Sequence, residues 1–370
     1  MQDRVIVPVW LEKYQRWQVK VWIDGNRQTF SSSLPGRKGQ QECAGKARNA
    51  LKGLCNPTMK INKLYALFLE EVKERTNSTG NYTNLESIGR IWILPRVGVK
   101  QIQRLTEQDM QNVLNAAAKA GRSYKYISNI RGAFTAFLRF ARKSHATTLH
   151  AEDLVIPKYA PQGKRQVFSS SDLEKLFSIA TTSFRKQPCD EFYIHAFRFL
   201  VVTGLRPGEL CELQRKRQET TGTLIVHGSF NRFGEHTSGK TKNAVREFIL
   251  PQIGIQILQD QFAMLKQHGI ISKYLFPDRD GDQLTSRELY KRLKKYEEVN
   301  GLTSISLYEL RHTFVSMCKG TIPEALLKPF VGHSSKMPTY DTYGHTLDGE
   351  MVTVATLINS IYSGITKNGV

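Results

Sequence analysis

Acidic residues are scarce: 33 Asp and Glu stand against 53 Lys and Arg in 370 residues, a formal charge of +20. An excess this large points to a polyanionic partner, with nucleic acid the first candidate. The basic residues are spread along the chain instead of forming a tail, which suits a protein that wraps its ligand. Cysteine is sparse too. The five at 43, 55, 189, 211 and 318 form no Cys-x-x-Cys pair, which argues against a zinc pattern or a disulfide framework and suits a reducing cytosol. None of the nine histidines forms a His-x-x-x-His pair, so no metal site and no cofactor are expected. No apolar run is long enough to span a membrane, and the N-terminus lacks the apolar core of a signal peptide, so no membrane partner is expected. Internal repeats and low-complexity tracts are also missing.

The length allows two or three domains. Residues 1–56 read as a small β module with a trailing helix over about 40–53. Arg16 to Ile23 alternates strictly, the period of a half-buried strand. Asp24-Gly25 is a two-residue hairpin signal, and Arg27 to Ser32 returns. Ten Lys and Arg against four Asp and Glu make this module basic.

Residues 58–145 read as a helical bundle. Ile61, Leu64, Phe68 and Val72 fall at helical spacing, and a second helix over Tyr82–Leu94 stops at Pro95. Thr106 with Asp109 caps a third, and Ile127, Ile130, Phe134, Phe137, Leu138 and Ala141 mark a fourth. Residues 146–166, with Pro157, Pro161 and Gly163, read as a linker. Residues 167–370 open at a capping box, Ser171 to Glu174, and are mostly helical. Strands are expected at Leu224–Val226 and Glu247–Leu250, and Val354, Leu357, Ile358 and Ile361 mark a C-terminal helix that docks on its own domain or on a neighbouring protomer.

The chemistry-bearing residues lie in this last region, in a fixed order. Arg206 sits in Gly204-Leu205-Arg206-Pro207-Gly208-Glu209-Leu210, and Lys240 in Gly239-Lys240-Thr241-Lys242. Arg311 sits in Tyr308-Glu309-Leu310-Arg311-His312-Thr313. His333 sits in Gly332-His333-Ser334-Ser335, and Tyr343 in Tyr343-Gly344-His345. A phosphodiester under attack becomes a five-coordinate phosphorane with added negative charge. Arginine offers a planar fork for two phosphoryl oxygens and stays charged. Such preorganised donors favour the transition state. A tyrosine can serve as covalent nucleophile, a lysine can protonate the leaving sugar oxygen, and a histidine near neutral pKa can bind the phosphate or relay a proton.

Together and in this order, the boxes resemble those of the tyrosine recombinases, or phage integrases. The Tyr308 to Ser316 wording is most like integrases of conjugative transposons and integrative elements of Gram-positive bacteria. The resemblance spans roughly the whole chain and is strongest from about residue 165 onward. It implies a multidomain, mainly α protein with small β-sheets. The parts would be a three-stranded arm-binding module with a helix, a helical core-binding bundle, and a mostly helical catalytic domain with a β-hairpin. It makes Arg206 and Arg311 the phosphate clamp, Glu209 the brace of Arg206, Lys240 the general acid, His333 the histidine of the third box, and Tyr343 the nucleophile that forms a 3′-phosphotyrosine. Tyr308 stands where the family often has histidine. A phenol titrates near pH 10 against about 6.5 for imidazole, which suits a phosphate contact or a structural role better than a general base. The implied partners are double-stranded DNA, three further copies in a tetramer and an accessory excision factor, in a bacterial cytoplasm.

Arg16, Lys20 and Arg27 of the β module, Arg122, Lys125 and Arg131 of the bundle, Lys164 and Arg165 of the linker and Lys242 are candidate DNA contacts. The residues leave alternatives. Lys242 competes with Lys240 and Tyr340 with Tyr343. Arg206 read alone is also a helix-terminal arginine paired with Glu209, and His333 also a turn histidine. His312 is expected to order local structure. A type IB topoisomerase uses nearly the same chemistry, and a non-enzymatic DNA-binding regulator is the reading from another class.

Overall fold

Strict alternation and a helix of small residues account for the first elements. The computed structural model describes residues 7–23, 26–51, 57–76, 79–163, 165–215, 222–237, 245–332 and 349–366. The expected Asp24-Gly25 turn lies outside them. Strands β1 (Val9–Leu11), β2 (Arg16–Ile23) and β3 (Asn26–Ser32) form an antiparallel sheet in that order, with Val19 opposite Phe30 and Trp22 opposite Arg27. Helix α1 (Gly36–Leu51) covers one face and buries Cys43, Ala44, Ala47 and Ala50. It comes so close that a Cβ on Gly39 would stand 2.8 Å from Trp17 Cδ1. Trp22, on the other face by alternation, is 65% exposed, and Lys20 on that face is exposed as well.

The chain divides into two compact units, Met1–Lys164 and Arg165–Val370. In the first, helices α2 (Ile61–Arg75), α3 (Thr79–Ile88), α4 (Leu94–Val97), α5 (Glu107–Lys119) and α6 (Tyr124–Lys143) share one core. Tyr65, Phe68, Phe137 and Phe140 form an aromatic cluster with ring centroids 5.2–5.9 Å apart. The buried Tyr65 hydroxyl donates to Leu85 O at 2.8 Å. Thr106 and Asp109 form the expected capping box of α5.

Pro95 does not end its helix. A π turn over Gly89–Ile93 follows α3 and leads straight into α4, where Pro95 occupies the first turn. A proline gives no N–H to the helical ladder, and the π turn just before it already departs from the four-residue hydrogen-bond pattern. Gly89 lets the wider turn pass over Tyr65, since a Cβ would stand 2.3 Å from that ring. Residues 146–163, most of the expected linker, lie on the bundle. Ala151, Leu154, Ile156 and Ala160 are buried in its core, Arg142 Nη1 donates to Leu149 O at 2.5 Å, and Gln111 exchanges two hydrogen bonds with the Val155 backbone.

The second unit has its own core, built on α7 (Ser170–Ser178), α8 (Ile194–Thr203), α9 (Pro207–Glu212), α10 (Gln252–Gln267), α11 (Ser286–Asn300), α12 (Leu307–Cys318), α13 (Glu324–Val331) and α14 (Glu350–Thr366). Helix α7 is capped by Ser169 with Asp172, two residues before the expected Ser171 with Glu174. The other partner of Asp172 supplies the reason: Thr303 donates its N–H and its hydroxyl to the same carboxylate at 3.0 and 2.8 Å, so a tertiary contact sets the cap. Antiparallel pairs β4 (Thr181–Phe184) with β5 (Gln187–Asp190), β6 (Thr223–Val226) with β9 (Arg246–Ile249), and β7 (Ser229–Phe230) with β8 (His236–Thr237) complete the unit. Sequence reading missed the β4–β5 hairpin, whose turn residues Arg185 and Lys186 hold positive φ without glycine. Helix α14 packs on its own unit. Val354, Ala355, Ile358 and Tyr362 are buried, and Tyr362 donates to Val201 O at 2.5 Å.

Candidate active site

Two glycines and a proline explain the box around Arg206. Gly204 ends α8 at φ +61°, and a Cβ there would stand 2.4 Å from the Phe314 ring on α12. Pro207 opens α9, where its fixed φ suits a first helical position. A Cβ on Gly208 would stand 2.3 Å from Ser229 Oγ and 2.7 Å from Phe230 O, so only glycine lets α9 approach β7. The short helix therefore leaves α8 at a set angle, with Arg206 at its head and Glu209 one turn on.

Glu209 is 3% exposed and is enclosed by donors. The Arg206 N–H donates to Oε2 at 2.9 Å and Arg206 Nη1 to Oε1 at 2.6 Å. Arg246, at the start of β9, presents a fork: Nη1 reaches Oε1 at 3.1 Å and Nη2 reaches Oε2 at 3.0 Å. Burial by itself would raise the Glu209 pKa. The Arg246 fork, the Arg246 charge and Arg206 outweigh it and hold the carboxyl below its usual range. Glu209 is thus an anion that braces two cations.

The end of α13 supplies the next pair of contacts. The last carbonyls of a helix have no partner within it. Here Arg206 Nη2 donates to Gly332 O at 3.0 Å and Arg246 Nε to Phe330 O at 2.9 Å. Gly332 closes α13 at φ +68°. Phe330 is anchored between Phe248 of β9 and Phe314 of α12, with centroids at 4.2 and 5.7 Å. The box that continues into His333 is therefore tied to the Arg206 box through backbone oxygens.

Arg311 comes from the buried face of α12, whose N-terminus is capped by Glu309 accepting from Ser306 N at 2.6 Å. It is 4% exposed, and its Nη1 donates to Gly204 O at 2.8 Å, two residues before Arg206. Its Nη2 is buried and has no hydrogen-bond partner among the described residues. Burial and the neighbouring Arg206 charge push its pKa down to about 10, still fully charged at neutral pH. Arg206, Arg246 and Arg311 with Glu209 carry a net charge of +2. Arg206 spends two of its five N–H donors on Glu209 and Gly332 and remains about one-third exposed, at 32%. A buried orphan donor beside a half-free guanidinium can take an anion.

Residues 166–350 match the phage integrase family, half of the chain. The chain belongs to that family, the tyrosine recombinases. No curated protein matches it significantly. Among solved structures, Tn1549 transposon integrase in complex with transposon right-end DNA is 20% identical, covering 80% of this chain and 99% of that one at TM-score 0.62. A lambda integrase dimer bound to a COC′ core site is 17% identical over 75% and 96%, at TM-score 0.59. A lambda integrase tetramer bound to a Holliday junction is 14% identical over 92% and 96%, at TM-score 0.58. At these identities the likeness establishes that the chain has the integrase fold.

Of the expected recombinase residues, the structure brings Arg206 and Arg311 together. Lys240, Lys242, His333, Tyr343, its competitor Tyr340 and Lys164 lie outside the described residues. Tyr308 is 56% exposed, on the first turn of α12. His312 is half-buried, and burial together with the Arg165 and Arg311 charges lowers its pKa. Arg165 is exposed close to it. On the β module, Lys20 and Arg27 are exposed, while Arg16 stacks on Tyr14 with its guanidinium 5.2 Å from the ring centroid. On the bundle, Arg122 lies against Trp92 and Tyr126, Lys125 is exposed, and half-buried Arg131 gives Nη1 to Leu154 O at 3.1 Å.

Arg246 escaped the sequence reading, being one basic residue among 53 with no motif around it. Its signal was the strand period. Arg246, Phe248 and Leu250 share one face, and a charge on the core face of a strand needs a buried partner.

Proposed function

We propose that this chain is a site-specific recombinase that integrates and excises a mobile genetic element, of the conjugative-transposon type, in a bacterial cytoplasm. The phenolic oxygen of Tyr343 loses its proton to water, attacks the scissile phosphorus and forms a 3′-phosphotyrosine. The 5′-oxygen leaves with a proton from Lys240. Arg206, Arg311 and His333 hold the charge of the phosphorane, and Tyr308 stands by as a further phosphate contact. Rejoining reverses the step: a 5′-hydroxyl from another strand attacks the phosphotyrosine, and the phenol is released with its proton. The bond energy stays in the phosphotyrosine, so no nucleotide cofactor is consumed. Exchange between two duplexes requires four protomers, and the direction of exchange calls for an accessory excision factor. Lys20 and Arg27 of the β module, Arg122 and Lys125 of the bundle, and Arg165 and Lys242 contact the duplex backbone.

The observation that carries this reading is the Arg311 guanidinium, held at one end by Gly204 O and offering a buried Nη2 with no partner among the described residues. A buried donor left unpaired is costly unless a ligand takes it. The other ligand atoms follow from Arg206 beside it. The test is a duplex nicked close to the candidate junction, so that the leaving strand diffuses away. The protein is expected to form a covalent adduct on this duplex, and Tyr343→Phe to form none. An adduct mapped to Tyr340 overturns the nucleophile assignment. Absence of any adduct on site-bearing DNA supports the non-enzymatic reading.

A further inference from the structure

We propose that Arg246 is a positioning residue for strand cleavage, acting on the phosphate clamp through Glu209 and on the third box through Phe330. The inference rests on the recombinase reading above. Arg246 itself cannot be the ligand. Its side chain is 7% exposed, and all three guanidinium nitrogens are engaged: Nη1 and Nη2 with Glu209, Nε with Phe330 O. Its effect must pass through those two partners.

The first route is electrostatic. Glu209 accepts from Arg206 at 2.6 Å, shorter than either bond from Arg246. With Arg246 absent, a buried carboxylate would have Arg206 as its only hydrogen-bonded cation among the described residues. The pair would then be neutral and Arg206 would be held to Glu209, with less of its charge available to a phosphate. With Arg246 present, the trio keeps a net +1, and Glu209 fixes the direction of Arg206 without neutralising it. The planar fork matters because two parallel N–H···O bonds set the plane of the carboxylate, and that plane sets the aim of Arg206 Nη1.

The second route is geometric. Phe330 O, held by Arg246, is two residues from Gly332 O, held by Arg206. Arg246 thus fastens the segment leading to His333 to the same carboxylate that orients Arg206. One side chain on β9 links three boxes that lie far apart in sequence: Arg206 with Glu209, β9 itself, and the end of α13.

The test compares wild type, Arg246→Met, Arg246→Lys and the double variant Arg246→Met with Glu209→Gln. Single-turnover adduct formation is measured on the nicked duplex, with duplex affinity and thermal melting measured in parallel. Arg246→Met is expected to slow adduct formation roughly 10- to 100-fold, the size seen when an outer partner of a site ligand is removed, with affinity changed less than about threefold. Arg246→Lys, which returns the charge without the fork, stays at least about fivefold slow. Adding Glu209→Gln to Arg246→Met is expected to speed the reaction about tenfold over the single variant, because it removes the unbalanced anion. A mere structural role would give additive losses and an affinity that falls with the rate. If Arg246→Met does not fold, Arg246→Gln, which likewise removes the charge, replaces it in the same comparison. Wild-type cleavage rates in the Arg246 variants, or further slowing by Glu209→Gln, overturn the proposal. If wild type itself forms no adduct, the recombinase reading fails instead.

Discussion

Replacing Arg311 with methionine is expected to make the DNA-free protein more stable while removing its cleavage activity. The reason is that a charge prepared for a phosphate is a liability until the phosphate arrives. Arg311 is 4% exposed and carries a buried Nη2 with no partner among the described residues, and Arg206 and Arg246 both repel it. Its pKa falls from 12.5 to about 10. A shift of that size corresponds to about 3 kcal/mol against keeping the charge in the folded state. For a base with a depressed folded pKa the cost is fully present below pH 10 and is relieved only as pH rises through the window from about 10 to 12.5, so at neutral pH all of it applies. Methionine fills much of the same volume and gives up the 2.8 Å bond to Gly204 O, a loss of about 1.5 kcal/mol. The difference, on the order of 1 kcal/mol, should raise Tm by a few degrees for a unit of roughly 200 residues. Calorimetry without DNA reads this directly. A site-bearing duplex should then stabilise wild type and leave the variant nearly unmoved, because only a protein that binds its ligand gains stability from it. A variant melting more than about 2 °C below wild type in the absence of DNA would refute the reasoning, since Arg311 would then be part of the scaffold and not a held-ready ligand.

Tyr362→Phe should cost about 1–2 kcal/mol, because it leaves the Val201 carbonyl at the α14 contact without its 2.5 Å donor; urea unfolding checks it, and an unchanged midpoint would show that α14 docks by its apolar face alone. His195 makes a pH prediction. Burial, then the Arg198 charge, lowers its pKa to about 4, and its Nδ1 has no partner among the described residues. Between pH 6.5 and about 4 the unfolded chain takes a proton that the folded one refuses, so stability falls as pH drops through that window and is unaffected above it. His195→Gln should flatten this acid limb in urea midpoints taken from pH 7 to pH 4, and parallel curves for the two proteins would count against the assignment.

The residues alone gave a β hairpin with a trailing helix and most of the helices, while the fold class, the third strand and the choice of Arg206, Glu209 and Arg311 came with the resemblance of the boxes to a family. The first group follows from local rules: alternation in β2, apolar spacing in α2 and α6, and a cap at Thr106. Gly204 is legible because a positive φ at a helix end favours glycine in any fold. Tertiary structure decided what depends on partners distant in sequence. Ser169 caps α7 because Thr303 claims Asp172, Pro95 is absorbed where a π turn over Tyr65 interrupts the regular ladder, and α14 settles on its own unit because Val354, Ala355, Ile358 and Tyr362 are buried there. Arg246 belongs to the same class. Its residue type and strand period could be read in advance. That its fork would close on Glu209, 37 residues earlier, and its Nε on Phe330, 84 residues later, could not. A buried charge takes its meaning from the groups that surround it, and only the folded chain assembles them.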